Sequence, residues 1–270
     1  MSVASPGPLI ATGRTAEVYA WGQDRILKLY YTWCPLEWAQ YEVKIGRAIS
    51  GKALPTPRLL DSITLDGRAG IIYERVDGPS MLAVLTQKPW RVNRLARLLA
   101  ELQAEVHRLR GEGLPSLRDS LSSTIRRVEN LPSPIMDFAL GVLSGLPDGS
   151  ALCHFDFHPA QVILTQNGPV IIDWMTAHQG HPLADVARTS VLFRFAQVPG
   201  AGRAMRTLVN LWRGQFYRTY IGRYLELNPG YSQEGIRRWM VPVADGRLKE
   251  EIPGEQPALL RFIEASANIK

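Results

Sequence analysis

The chain has 270 residues, 46% hydrophobic and 21% charged, with 23 Gly and 19 Pro spread along it. That size suits one large domain or two lobes that each bury a core, and it excludes collagen, coiled coil and wholesale disorder. The 31 Lys and Arg exceed the 25 Asp and Glu, for a net charge of +6, but they are dispersed. Even Asp185 to Met240, with nine Arg and no Lys, lacks a nucleic-acid motif and reads as a solvated helical face, so no nucleic-acid partner is expected. Cys34 and Cys153 stand far apart without C-x-x-C spacing, which indicates neither a disulfide framework nor a zinc knuckle. The first twelve residues lack a basic, apolar leader and no long uncharged apolar run follows. The expectation is a soluble, cytoplasmic protein with no membrane partner.

In chain order, the first quarter reads as strands at Leu9 to Ala11, Glu17 to Trp21 and Ile26 to Tyr30, broken at Gly13 and at Gly22-Gln23-Asp24. Pro35 opens a helix with apolar positions Leu36, Ala39, Val43, Ile45 and Ile49, and Gly51 lies beyond its end. Leu59 to Thr64 and Ala69 to Glu74 pair across Asp66-Gly67, and the Val76-Asp77-Gly78-Pro79 turn marks a lobe boundary. Leu95, Leu98, Leu99, Leu102 and Val106 then share one helix face that ends near His107. A Pro- and Gly-punctuated region leads to a hairpin, Val162 to Leu164 and Val170 to Ile172, around Gln166-Asn167-Gly168. Helical spacing returns through Met205, Leu208, Val209, Trp212, Phe216, Tyr220 and Tyr224, an aromatic stripe that reads, with Trp174, as core. Residues 1–76 are expected as an antiparallel-sheet lobe and 77–270 as a larger lobe, mainly helical from about 190 onward.

Four of the five histidines fall between His154 and His181. Two chemistries fit. His154, Asp156, His158, Asp173, His178 and His181 could ligate a hydrolytic zinc or iron, since imidazole with carboxylate suits either. Alternatively His154-Phe155-Asp156, four residues before Gln161, is a phosphoryl-transfer loop of the H-x-D-x-x-x-x-N kind. Ile171-Ile172-Asp173 then ends the next strand with a metal-binding carboxylate. The N-terminal lobe favours the second. A loop of Gly13, Arg14 and Thr15 can bring backbone amides to phosphates, Lys28 can neutralise them, and Glu42 can hold Lys28 extended through an ion pair. Backbone groups at Glu74 and Val76 can meet a purine edge.

With these motifs in place, the chain resembles the aminoglycoside phosphotransferase family and its choline-kinase-like relatives. The resemblance spans nearly the whole chain, through IATGRTAEVYAW, ILKLY, YEVKIGRAI, IIYERVDGPSM, HFDFHPAQVIL, VIIDW and HPLADVARTS, and more loosely WMVPVADGRLKE. It implies an α+β, bilobal, protein-kinase-like fold and transfer of the γ-phosphoryl of ATP or GTP, with Mg²⁺, to a hydroxyl on a small-molecule acceptor. Carried over by position, it implies Asp156 as catalytic base with His154 organising its loop, and Lys28 with Glu42 as the phosphate-binding pair. It likewise implies Asp173 and Gln161 as Mg²⁺ ligands and Asp185 as the anchor of the catalytic loop. Gln161 departs from the family's Asn, and the phosphate loop has a single glycine. A nucleotide-binding pseudokinase is therefore the second reading, and the histidine-based hydrolase the third. Oligomeric state is not legible.

Overall fold

The computed structural model describes residues 5–196 and 203–267, of which 203–210 are described by their backbone alone. Strands β1 (Leu9–Thr12), β2 (Ala16–Ala20) and β3 (Arg25–Tyr30) are followed by helix α1 (Leu36–Ile49), then β4 (Leu59–Leu65) and β5 (Arg68–Glu74). Helices α2 (Met81–Gln87), α3 (Val92–His107), α4 (Leu117–Ile125) and α5 (Ser133–Ser144) come next. Short strands β6 (Ala151–Cys153), β7 (Val162–Thr165), β8 (Gly168–Ile171) and β9 (His178–Gly180) lead to α6 (Pro182–Phe195), α7 (Arg203–Leu227), α8 (Gln233–Leu248) and α9 (Gln256–Ala267).

The chain divides into two units, Met1–Met81 with Ala160–Met175, and Leu82–Pro159 with Thr176–Lys270. The expected boundary at 76 had left the β7–β8 hairpin in the second lobe. Backbone bonds explain its place in the first: Leu164 N–H donates to Pro79 at 2.9 Å and Ile171 N–H to Pro55 at 2.7 Å. Gly78 makes this approach possible, because a Cβ there would lie 2.5 Å from the Leu164 carbonyl oxygen.

In the first unit the strand order is β1-β2-β3-β5-β4, antiparallel throughout. The period of two sends Leu27 and Leu29 to one face, where they pack with Leu65 and Ile72. Lys28 and Tyr30 go to the other face, which α1 covers through Ala39 and Val43. Lys28 stands in the central strand, opposite Val18 and Ile71. In α1 the buried set includes one acid, Glu42, among Ala39, Val43, Ile45 and Ile49.

The second unit is mainly helical. The expected face of α3 is buried at Leu95, Leu99 and Val106. The Pro- and Gly-rich stretch holds two helices that periodicity missed, α4 and α5. The first starts on an unremarked cap, Ser116 Oγ accepting from Asp119 N–H at 3.2 Å. The aromatic stripe of α7 is buried at Phe216, Tyr220 and Tyr224, but Trp212 is 37% exposed and is not core. Expectations at Met205, Leu208 and Val209 fall where side chains are not described. Nor is the Arg-rich stretch merely solvated: Arg188 is buried, and Arg213 closes the end of α6 by donating to Ala196 and Leu192 at 2.8 and 3.1 Å.

Helix α8 continues through Pro242 and buries Asp245 with neither carboxylate oxygen hydrogen-bonded among the described residues. Burial pushes this carboxyl up to about 7 from 3.8. A proton bound in the folded but not the unfolded state makes stability fall as pH rises from about 4 to about 7, by roughly 4 kcal/mol as an upper bound. Asp245→Asn should therefore raise the urea midpoint at pH 8 and much less at pH 4.5. An equal gain at both values would show that the carboxylate is not the cause.

Candidate active site

The first unit assembles around Lys28 the residues expected on the nucleotide side. Its Nζ lies 2.9 Å from both oxygens of Glu42 and 3.1 Å from Asp173 Oδ1. Burial opposes the ammonium charge, but the two carboxylates outweigh it and hold the lysine above its usual range. Glu42 also accepts from Tyr73 at 2.7 Å and from the Tyr30 hydroxyl. Tyr30 thus sits beside Lys28 on the same strand face and fixes the same acid, a role that period-two reading alone did not assign. Asp173 follows β8 with φ 61°, a left-handed conformation that Asp tolerates better than most residues. Its Oδ2 faces the Gln161 side-chain amide at 3.4 Å. A carboxylate and a carboxamide offer hard oxygen donors, the chemistry that suits Mg²⁺ with waters and phosphates completing the octahedron.

The strand-end groups differ in availability. Glu74 N–H donates to Arg58 and Arg75 N–H to Asp24, each at 2.9 Å, and Arg58 Nε also meets the Glu74 carboxylate at 3.0 Å. Among the described residues Val76 N–H donates to no backbone carbonyl, which leaves it open to an acceptor nitrogen of a base. In the β1–β2 turn, Gly13 N–H is committed to Ala16 at 2.8 Å, and Thr15 presents its carbonyl to Tyr31 N–H at 3.0 Å. Gly13 therefore shapes the turn and has no N–H left for phosphate.

The second unit holds the H-x-D loop. Asp185, fully buried on α6, accepts from His154 N–H at 3.0 Å, Phe155 N–H at 2.7 Å and His107 Nε2 at 3.0 Å. Burial opposes its ionisation, yet the His107, His154 and Gln103 side chains together outweigh it and the carboxyl lies below the usual range. Thr189, one turn on, donates to the Phe157 carbonyl at 2.8 Å. Phe155 takes φ 61°, an unfavourable backbone for a bulky residue that this bracing over-determines. His154 is fully buried, and its Nδ1 accepts from Asp156 N–H at 3.3 Å. It shapes the loop and presents nothing to a ligand.

Asp156 is 27% exposed, with His158 Nε2 at 3.6 Å from Oδ2 and Arg188 at 3.7 Å from Oδ1. Burial raises its carboxyl, but the His158 and His154 imidazoles and the Arg188 charge together outweigh that and hold it well below the usual range.

His107 was not singled out in the sequence, although its spacing from Gln103 carried a signal: two polar residues at i and i+4 on an otherwise apolar face. They meet a matching pair on α7, His107 Nδ1 with the Tyr224 hydroxyl at 2.7 Å and Gln103 with the Tyr220 hydroxyl. His107, Cys153 and Asp185 are the one gathering of metal-ligating atoms among the described residues, yet His107 and Asp185 are already engaged and burial pushes the Cys153 thiol up. The histidines of the zinc reading serve elsewhere. His178 Nδ1 meets the Thr176 carbonyl at 2.7 Å, and His181 caps α6 and stacks on Trp239.

A lysine shared by a helical and a strand-end carboxylate in a sheet-based unit, with an H-x-D loop braced by helices in the other, defines a protein-kinase-like phosphotransferase. Solved structures show the same fold. The chain is similar to a thermostable variant of aminoglycoside phosphotransferase APH(4)-Ia in complex with ADP and hygromycin B, with TM-score 0.62, 16% identity, and 96% of this chain and 90% of that one covered. It is similar also to an aminoglycoside-3′-phosphotransferase of type VIII (0.61, 18%, 92% and 92%) and to one from Streptomyces rimosus, APH(3″)-Id (0.59, 18%, 86% and 91%). No curated protein matches the sequence. The profile of the phosphotransferase enzyme family matches residues 9–231, and the chain belongs to that family.

Asp185→Asn should unlock the loop, because it turns an NH₂ toward groups that need an acceptor. A loss of roughly 2–4 kcal/mol in urea unfolding is expected. An unchanged midpoint would mean that the loop is held by something else.

Proposed function

We propose that the protein is a small-molecule kinase moving the γ-phosphoryl of ATP or GTP, with Mg²⁺, to a hydroxyl of its acceptor. The observation that carries this reading is Lys28 Nζ within 3.1 Å of Glu42 and Asp173 at once, a lysine fixed where it can meet phosphate oxygens. Lys28 neutralises the phosphates, Glu42 keeps the ammonium extended, and Val76 N–H donates to the base edge. Asp173, with Gln161, would hold Mg²⁺, which when bound supplies charge neutralisation along the polyphosphate. Asp156 accepts the hydrogen bond of the acceptor hydroxyl, aims it, and takes its proton at a carboxylate oxygen. A carboxylate of low basicity suffices, since loose phosphoryl transfer draws its rate mainly from positioning and electrostatics. The Gln161 NH₂ donates to Asp173 Oδ2 at 3.4 Å, which keeps the amide on its longer arm beside the carboxylate and favours an active enzyme over a pseudokinase. The two cysteines, both free, are consistent with a cytoplasmic setting.

Thermal unfolding with and without ATP, GTP and Mg²⁺ tests the donor site. Ligand at 100 times its Kd adds about 2.7 kcal/mol, or roughly 5–10 °C in a chain of this size. A metal-dependent rise with either nucleotide is expected, and no rise with both at millimolar concentration would remove the donor site.

With an acceptor found by screening alcohols, sugars and aminoglycosides, Asp156→Ala should cut transfer by about 10²–10⁴ while keeping the nucleotide-induced rise. Unaltered turnover would reject Asp156 as base. Asp173→Ala should instead abolish the Mg²⁺-dependent part of the rise.

Gln161→Asn shortens the amide by one C–C bond. A fall in transfer rate is expected, the site being built around the longer arm. A large gain would mean that Gln161 impairs the metal.

A further inference from the structure

A chain of alternating charges borders Asp156, and the transfer steps above leave it without a role. Arg188 Nη2, on α6, lies 2.5 Å from Glu250 Oε1 and 3.7 Å from Asp156 Oδ1. The first is a charge-assisted hydrogen bond; the second is beyond hydrogen-bond length. The other Glu250 oxygen receives Arg247 Nη1, and Arg247 is held in turn by Glu255, from Nε at 2.9 Å and Nη2 at 3.1 Å. Arg188 is 7% exposed, its guanidinium lies 5.8 Å from the centre of the Phe155 ring, and its Nε has no partner among the described residues. Such a cation settles on whichever carboxylate is nearest. Here two compete for a single nitrogen, and Glu250 holds it.

We infer that Arg188 and Glu250 are a paired positioning device for Asp156: Arg188 sets its positive charge beside the carboxylate, and Glu250 holds the guanidinium back, 3.7 Å from Oδ1. Its importance for transfer rests on Asp156 being the base; the electrostatic pairing does not. The groups facing Asp156 are His154 and His158 from its own loop, Arg188 from α6, and Arg247 from α8, which feels the Asp156 charge. Without Arg188, burial acts on Asp156 against the imidazoles and the more remote Arg247 alone. Without Glu250, Arg188 closes onto Asp156.

Carboxyl ¹³C NMR of the full chain, labelled at aspartate Cγ, tests the first half. The Asp156 signal is the one missing from Asp156→Asn. In the parent protein it should stay flat from about pH 8 to about pH 4. Arg188→Met should bring a titration step into that window, a rise of more than one pH unit, while Arg188→Lys should stay flat. A flat Arg188→Met profile overturns the role of Arg188. Glu250→Gln, at a part-exposed position, tests the second half and keeps the proposal falsifiable if Arg188→Met does not fold. Its crystal structure should show Arg188 within ~3.2 Å of Asp156, and a guanidinium still bound to residue 250 and away from Asp156 overturns the restraint. Neither measurement uses nucleotide or acceptor, so a failure here is distinct from a failure to bind ATP or GTP.

Discussion

The carboxylate of Asp185 is the interaction on which the second unit's chemistry depends. A carboxylate with no exposure is costly unless every lone pair direction is met by a donor. Here the donors are two consecutive loop N–H groups and an imidazole. Charge-assisted bonds of about 1.5–3 kcal/mol each outweigh the roughly 1–3 kcal/mol of strain that Phe155 carries in a left-handed backbone. That conformation sets the loop's direction just before Asp156. The strain is thus held by a group buried away from solvent.

Three helices contribute to this bracing by the same device, polar pairs one turn apart. Gln103 and His107 on α3 meet Tyr220 and Tyr224 on α7, while Asp185 and Thr189 on α6 hold the loop at His154, Phe155 and Phe157. A single helical turn matches the spacing of the rungs, so the helices are fixed in rotation as well as in distance. Apolar packing alone leaves more freedom to slide. Polar rungs at the buried face are costly to misalign, because a slipped register strands donors and acceptors away from water.

Much of this was legible in the sequence where one short-range rule was enough. Lys28 was placed on a strand and Glu42 in the helix after it, close enough in the chain for an ion pair to be expected, and a β-rich run ended at Asp173. Family resemblance singled out Asp185 before any geometry did. What stayed hidden depends on contacts distant in sequence. The hairpin's membership in the first unit rests on backbone bonds to Pro79 and Pro55, and backbone bonds leave no trace in composition. His107 looked like the end of an apolar helix because its partners lie 78 and 117 positions away. Arg188 looked like one arginine of a solvated face, and only its burial beside Asp156 and Glu250 gives it a task. Helices α4 and α5 were missed because serines and prolines in that stretch look like loop punctuation until a cap such as Ser116 is recognised.

The two carboxylates on Lys28 are unequal, and the inequality bears on how the site can work. Glu42 is buried and saturated, receiving both the ammonium and two tyrosine hydroxyls. Asp173 is 43% exposed on its side chain, and among the described residues only Lys28 and the Gln161 amide approach its oxygens as hydrogen-bond donors. On the proposed function, an incoming polyphosphate with its cation would compete for Asp173 and leave Glu42 in place, because displacing Glu42 would strand two tyrosine hydroxyls along with a buried charge. Lys28 can turn from Asp173 toward phosphate oxygens while Glu42 keeps it extended. The buried acid fixes the lysine, and the exposed acid remains free to exchange partners.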